Sequence, residues 1–493
     1  MPKSVPFAIL IFAVIIGQSR AANYNPGDWV EFTVFRYVTS IAADQEIVYF
    51  GTTGGIIRYD RFSQQWLDPL TTSDGLPSNY ILKIGYDPAF DELWALTRSG
   101  GARYNLTFKH WYIDDNFPGN LATNDWNPAG FSTLFAPFRY SYQGGAITDP
   151  YLRTYKIICG WRDNQSDLMF IGTWGLGPGI IDTRHLNLTL LPYGPFNSNI
   201  SRVIEVSGSL WMGTDYTRAD RGLTKFDRDS ARWRYFEPGV YLDLGDAELT
   251  SAISNSDIVW LGTRGGLVRY EPDESFRTYG DFKGLPSDNV LSLAEYGGFI
   301  YVGTDDGLGV IPPGGKIPDS TFKSPLDVES SFSGQAINDL LAFKDKLYIA
   351  TDRAVYAFDS AKRSIQELDT PAGDLAAGAT DIYCFGNSLY FAVKHGVVIV
   401  DVGTNVLKLA TDAQLADRWH INQLLADSVH IWAATTLGLW RYELADGTTY
   451  LYTVGDGLPV NNINSLVREG SYLWLGTNLG LVKFLWNSPG RGD

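Results

Sequence analysis

Ten copies of one short pattern, an aromatic residue followed by an apolar residue, a small residue and Thr, run through this chain. They begin at Tyr49, Trp94, Phe170, Trp211, Trp260, Tyr301, Tyr348, Tyr390, Trp432 and Trp474, at spacings of 45, 76, 41, 49, 41, 47, 42, 42 and 42 residues. Thr closes the tetrad in nine of the ten copies, with Val393 the exception, and the residue before it is Gly or Ala in nine, with Leu96 the exception. A period of this length leaves few architectures open. Each copy must be one supersecondary unit that cannot bury its faces alone and so leans on its neighbours.

The unit itself reads as four strands. A short alternating run such as Val290-Leu-Ser-Leu293 precedes the tetrad strand. After the tetrad comes a glycine turn and a second apolar run, as in Gly265-Gly266-Leu-Val-Arg-Tyr270 and Gly480-Leu-Val-Lys-Phe484. Glycine there supplies the positive φ of a tight hairpin, so the two runs are antiparallel neighbours. An aromatic run such as Phe276-Arg-Thr-Tyr279 follows, and then a turn, clearest as Asp74-Gly-Leu-Pro-Ser-Asn79 and Asp456-Gly-Leu-Pro-Val-Asn461. Four strands per period, repeated radially, are the signature of propeller blades. Small residues before Thr let blades approach near the axis, and Trp and Tyr fill the wider gap outside. The expected fold is therefore all-β: about ten four-stranded blades in a single ring, with two smaller rings as the alternative. The last copy stops after its third strand at Phe484, and an orphan aromatic strand, Trp29-Val-Glu-Phe-Thr-Val34, precedes the first inner strand. Pairing the two closes the ring and removes open sheet edges.

The Trp260-Leu-Gly-Thr263, Gly438-Leu-Trp-Arg-Tyr442 and Asp74-Gly-Leu-Pro-Ser-Asn79 elements resemble the two-component-regulator propeller repeats. The resemblance covers nearly the whole chain after residue 21. It implies a periplasmic, sensor-type propeller. No transmembrane helix, kinase or receiver sequence follows Phe484, so a separate histidine kinase is the partner expected to carry any signal.

Export is the second expectation. Lys3 opens a basic start, Val5–Gly17 is apolar apart from Pro6, and Ser19-Arg20-Ala21 is a small-x-small cleavage site, which reads as a signal peptide over 1–21. Residues 22–493 form the propeller, interrupted by one long insertion at 114–153. The apolar run is shorter than the about 20 residues a spanning helix needs, so the product is expected to be periplasmic or secreted, without membrane insertion after cleavage. Loss of Lys3 and Arg20 moves the formal charge from -16 to -18, which disfavours nucleic acid. Only Cys159 and Cys384 are present, which is no disulfide framework.

Chemistry is sparse. The five His show no zinc spacing, no Gly-x-Ser-x-Gly elbow occurs, and neither Cys neighbours a His. No metal, no cofactor and no catalytic residue is predicted. Propellers present their strand-two-to-three turns, and the connections into each inner strand, on one funnel-shaped face. Here those segments hold Arg98, Trp174, Tyr216, Arg264, Asp305, Asp306, Arg353, His395, Trp419 and His420. Aromatic, cationic and acidic groups around a funnel suit a glycan, a peptide or a cell-envelope protein. The insertion, rich in aromatics that include Trp126, Phe131, Phe135 and Phe138, reads equally as a lid or as a structural plug. The function expected is a non-enzymatic binding, sensor or interaction module. The alternative is a propeller-type polysaccharide lyase or hydrolase with its site at the funnel, for which His395 and His420 would converge.

Overall fold

In the computed structural model of the chain, the described residues are 28–487, apart from 122–129, 138, 215–220, 242, 256, 282–283, 313–327, 369–374, 376–377, 404–406 and 413–417. The 1–21 segment, Tyr216, Trp126 and Phe138 thus lie outside the described residues. No helix among the described residues is long and apolar enough to cross a membrane.

Among the described residues, ten antiparallel sheets follow one another along the chain, as the repeat predicts. In sequence order they are blade 1 (38–70), blade 2 (81–113), blade 3 (154–190), blade 4 (200–236), blade 5 (249–279), blade 6 (290–311), blade 7 (337–367), blade 8 (381–410), blade 9 (421–452) and blade 10 (463–485). Blade 6 shows three strands among the described residues and the others four or more. Trp29–Phe32 completes blade 10, with Trp29 opposite Phe484 and Phe32 opposite Leu481. The Trp29 ring stacks on Phe484 at 3.7 Å and 6°. This is the strand exchange expected from the orphan N-terminal run.

Local chemistry explains the repeat. The tetrad Thr is a turn clamp: in blade 5, Thr263 Oγ1 donates to the Gly266 carbonyl at 2.7 Å and accepts from Gly265 N at 3.2 Å. The same pair of bonds recurs at Thr52, Thr351, Thr435 and Thr477. Gly266 at φ 125° supplies the positive φ predicted for that hairpin. The Asp-Gly-Leu-Pro turn caps itself. Asp74 accepts from Thr71 N at 2.9 Å, and Asn79 Oδ1 accepts from Thr72 N at 2.7 Å. Asp456 and Asn461 repeat both bonds.

The small residue before Thr has a different role: it marks which blade lies next. A Cβ on Gly262 would sit 2.8 Å from Val290 of blade 6, one on Gly303 2.7 Å from Ile337 of blade 7, and one on Gly213 2.3 Å from Leu249 of blade 5. Gly476 of blade 10 faces Ile200 and Val203 of blade 4, at 3.1 and 3.0 Å. Inner strands accordingly run side by side in the order 4-5-6-7-8-9-10 and back to 4. Gly172 of blade 3 faces Val38 of blade 1, and Gly51 of blade 1 faces Ile81 of blade 2.

This corrects the single ring of ten. Seven blades form the closed circuit, and blades 3, 1 and 2 form a separate arc in that order, so the two-ring alternative is not met either. The reason is topological. The chain leaves the closing strand, builds blades 1 and 2, then crosses through the 114–153 insertion to the far side of blade 1 before building blade 3. Only afterwards does it start the ring at blade 4. The insertion also covers what the crossing leaves bare. Leu121 packs on Gly85 of blade 2, and the hairpin Ser141–Gln143/Ala146–Thr148 extends the inner edge of blade 3. Arg153 then bridges Asp149 at 2.6 Å and Glu237 of the ring at 2.7 Å. A buried aromatic cluster welds arc to ring: Trp66 of blade 1 lies 4.6 Å from Tyr193, which lies 5.8 Å from Trp233 of blade 4.

Candidate functional site

In six of the seven ring blades the inner strand begins with a buried apolar residue, followed by a mostly polar one; in blade 8 the equivalent Ala379 and Thr380 lie just before the strand. In blades 4, 5, 6, 7, 9 and 10 the pairing register shifts at that second residue. A bulge re-aims its side chain, and here the side chain reaches sideways to the next blade. Ser201 donates to the Leu249 carbonyl at 3.0 Å, Thr250 to Val290 at 2.8 Å, Asn338 to Ala379 at 2.9 Å and Thr380 to Ile421 at 3.1 Å. Asn422 donates to Ile463 at 2.7 Å, and Asn464 to Ile200 at 2.7 Å, which returns the circuit to blade 4. Blade 6 has Leu291 at this position, and the adjacent Ser292 serves the Ile337 carbonyl at 3.3 Å.

One residue deeper, side-chain acceptors link blades 7, 8, 9, 10 and 4 in turn. Ser465 Oγ accepts from Val203 N at 2.8 Å, Gln423 Oε1 from Leu466 N at 3.0 Å, Asp339 from Ile382 N at 2.8 Å and Asp381 from Leu424 N at 2.7 Å. Arg202 occupies the same level in blade 4. Its Nε donates to the Thr250 carbonyl at 3.2 Å and its Nη1 to the Asn422 carbonyl at 3.2 Å. Burial pushes the Asp339 carboxyl up to about 6, with the two backbone N–H donors and Arg202 opposing. Burial and the neighbouring Asp339 charge also push Asp381 well above its ordinary range. Adjacent carboxylates of like charge resist double ionisation.

Above these bonds a cavity of 810 Å³ opens at the ring's mouth, lined from all seven blades by Asn199, Arg202, Glu248, Arg264, Asn338, Thr380, His420, Asn422, Asn464, Asn478 and their neighbours. Two residues predicted from the sequence, Arg264 and His420, line it. Arg264 is ion-paired with Glu248, and His420 N donates to Thr436 Oγ1 at 3.1 Å. The others lie elsewhere. Asp305 accepts from Asn289 at 2.9 Å, while Asp306 and Arg353 have their backbone N–H groups held by Thr304 and Thr351. His395 is an exposed turn residue whose carbonyl accepts from Thr411 at 2.6 Å. Trp419 is core: it is buried and meets Trp440 edge-on at 5.0 Å. Arg98 and Trp174 belong to the arc, Arg98 lying over Tyr80 at 3.6 Å and Trp174 beside Tyr37 at 5.3 Å. The predicted set is therefore spread over two surfaces because the blades it was taken from do not share one ring. The polar second residue of each inner strand was missed, although its recurrence after Ile200, Leu249, Ile337, Ile421 and Ile463 is visible in the sequence.

Blades built on a closed circuit define the class: this is a β-propeller protein. No known protein family and no curated protein sequence matches the chain. Among solved structures it is similar to the extracellular domain of the hybrid two-component system BT4673 from B. thetaiotaomicron. Identity there is 15% over 92% of this chain and 72% of that one, with a TM-score of 0.48. It is also similar to PorZ, a surface component of the type-IX secretion system of Porphyromonas gingivalis, at 14% identity over 92% and 69% of the two chains, TM-score 0.48. A third is virginiamycin B lyase from Staphylococcus aureus, at 13% identity over 59% and 97%, TM-score 0.45.

Proposed function

We propose that the chain is an exported, non-enzymatic binding or sensor module that receives an extracytoplasmic glycan, peptide or protein segment at the mouth of its seven-bladed ring. The observation that carries this reading is the mouth itself. All seven blades line one 810 Å³ concavity, six of them with polar side chains, and several of those side chains are already fixed by bonds to the neighbouring blade. Such preorganisation lowers the cost of binding. The reading is consistent with the predicted leader at 1–21 and with a separate partner, such as a histidine kinase, transmitting the bound state.

Isothermal titration of the full chain against a panel of cell-wall oligosaccharides and peptides tests it, with Arg264→Ala and Asn422→Ala as mouth variants. The reading expects at least one ligand whose affinity drops about tenfold or more, equivalent to about 1.4 kcal/mol, in both variants. Ligands that bind both variants as well as the parent chain would contradict it, as would a panel without any binder.

A further inference from the structure

Aromatic rings crowd one end of the arc. Phe62, Phe90, Phe108 and Phe135 are 67%, 72%, 74% and 65% exposed, and the next most exposed phenylalanine among the described residues, Phe385 of the ring, stands at 42%. Topology gathers the four. In a four-stranded antiparallel blade the first-to-second and third-to-fourth turns share one end, opposite the turn after the tetrad. Phe90 is on the first kind of turn in blade 2, and Phe62 and Phe108 are on the second kind in blades 1 and 2. Phe135 lies beside the third-to-fourth turn of blade 3, where its N–H donates to the Leu186 carbonyl at 2.8 Å and its carbonyl accepts from Leu188 N at 2.9 Å. Arg61 reaches Asp163 at 2.9 Å and so ties these ends of blades 1 and 3 together.

The fold does not require phenylalanine there. The matching third-to-fourth turns of the ring carry Asp229-Ser230, Pro272-Asp273 and Ala361-Lys362. Phe90 stands on a lengthened tip: four residues separate Asp87 from its partner Glu92, against two between Val206 and Ser209 and between Tyr296 and Phe299. The tips are also held firmly. Asp60 Oδ1 accepts from Phe62 N at 2.8 Å, Asn105 Oδ1 from Phe108 N at 2.9 Å and Asp87 Oδ1 from Ala89 N at 2.9 Å. Charges nearby are matched within the chain, Arg61 with Asp163 and Arg184 with Asp167. Lys109 beside Phe108 and Asp91 beside Phe90 add one charge of each sign.

At about 200 Å² per ring, the four exposures leave about 550 Å² of apolar surface in water, the size of patch that marks an interaction site. Shape and charge select the partner. The apolar area is split over separate projecting turns, and a second copy meeting this face about a two-fold axis would set the same projections against each other, closing little surface. A fluid interface closes around each tip separately. The net charge of -16 opposes an anionic surface.

We infer that this end of the arc rests on a zwitterionic phospholipid bilayer, with Phe62, Phe90, Phe108 and Phe135 entering the boundary between headgroups and acyl chains. Gly54 and Asn79 of the arc line one cavity with Ser198 and Leu479 of the ring, so the turns after the tetrads lie on one side of both, and the ring's mouth faces away from the bilayer. The inference does not depend on what the mouth binds.

Flotation of the full chain with phosphatidylcholine vesicles tests it. The parent is compared with Phe62→Ser/Phe90→Ser/Phe108→Ser and with Phe385→Ser as a control on the ring, and thermal melts check that each is folded. The parent should float, and should still do so at about 0.5 M salt, where charges are screened within a few ångström. The triple variant should partition at least about tenfold more weakly, and Phe385→Ser should match the parent. Should the triple variant fail to fold, Phe90→Ser and Phe108→Ser singly, each expected to lose about threefold or more, carry the test. A parent that does not float overturns the inference, as do variants that float as well as the parent. Binding confined to phosphatidylglycerol vesicles and abolished by salt overturns it too. A parent that ignores vesicles but sediments as a dimer, which the triple variant loses, would make this face a contact between copies and not a lipid surface.

Discussion

Thr263 shows how much one residue does in this fold. Its hydroxyl ties a turn at both ends, and the side chain is fully buried. Replacing it with Val keeps the shape but orphans a backbone N–H and a carbonyl. Thr263→Val should therefore lower stability by about 1–3 kcal/mol, and Thr263→Ser should restore most of it in urea melts; equal loss in both would mean that the clamp is not what the position supplies. Asp339 makes a second residue-scale prediction. Its folded carboxyl, pushed up from 3.8 to about 6, holds its proton more tightly than in the unfolded chain. That contribution to stability is fully present below pH about 4 and is lost as pH rises through about 6. Urea midpoints measured from pH 4 to 8 should show this fall in the parent and a flatter profile in Asp339→Asn. Both residues are visible in the sequence, but only the threonine announces itself, because it repeats. The acidic pair occupies a position that holds Ser in three other ring blades, so no spacing separates it from the many carboxylates of an acidic chain.

At the level of the element, the closing strand and the small residues on the tetrad strands carry the architecture. Trp29 is buried, stacked on Phe484 and laid over Gly457, where a Cβ would meet its ring at 2.7 Å. Trp29→Ala should cost about 3–5 kcal/mol and be read as a lower thermal midpoint; a loss below about 1 kcal/mol would mean that the strand is not part of the closed blade. Gly303→Ala should cost about 1–3 kcal/mol, since a methyl would sit 2.3 Å from Ser292 Oγ and 2.7 Å from Ile337. The four-stranded unit, its turn glycines and the strand exchange were all legible, because each rests on local periodicity. Leu96 was legible in a different way. It is the one tetrad without a small residue, and it lies in blade 2, the end of the arc, where no further inner strand has to approach. The 76-residue spacing that follows marks the crossover to the other side of blade 1. Both signals are in the sequence, but neither states which blade comes next.

The whole molecule is a closed seven-bladed ring with a three-bladed arc fastened to it. Ring size was the part that sequence reasoning could not reach, since blades in the ring and in the arc use the same strands, turns and clamps. What distinguishes them is the neighbour each inner strand meets, a contact between segments up to 264 residues apart. The site inherits the same blindness: residues chosen from equivalent turns of all ten blades fall partly on the arc, and the mouth is assembled only by closing seven. Cross-linking decides the matter most directly. With Cys159 and Cys384 replaced by Ala, one chain carries Asn464→Cys with Ser201→Cys, and a second carries Asn464→Cys with Thr39→Cys. Treatment with a short bismaleimide and peptide mass spectrometry should give an intramolecular 464–201 link and no 464–39 link. A 464–39 link without the 464–201 link would place blade 1 beside blade 10 and contradict the seven-bladed closure.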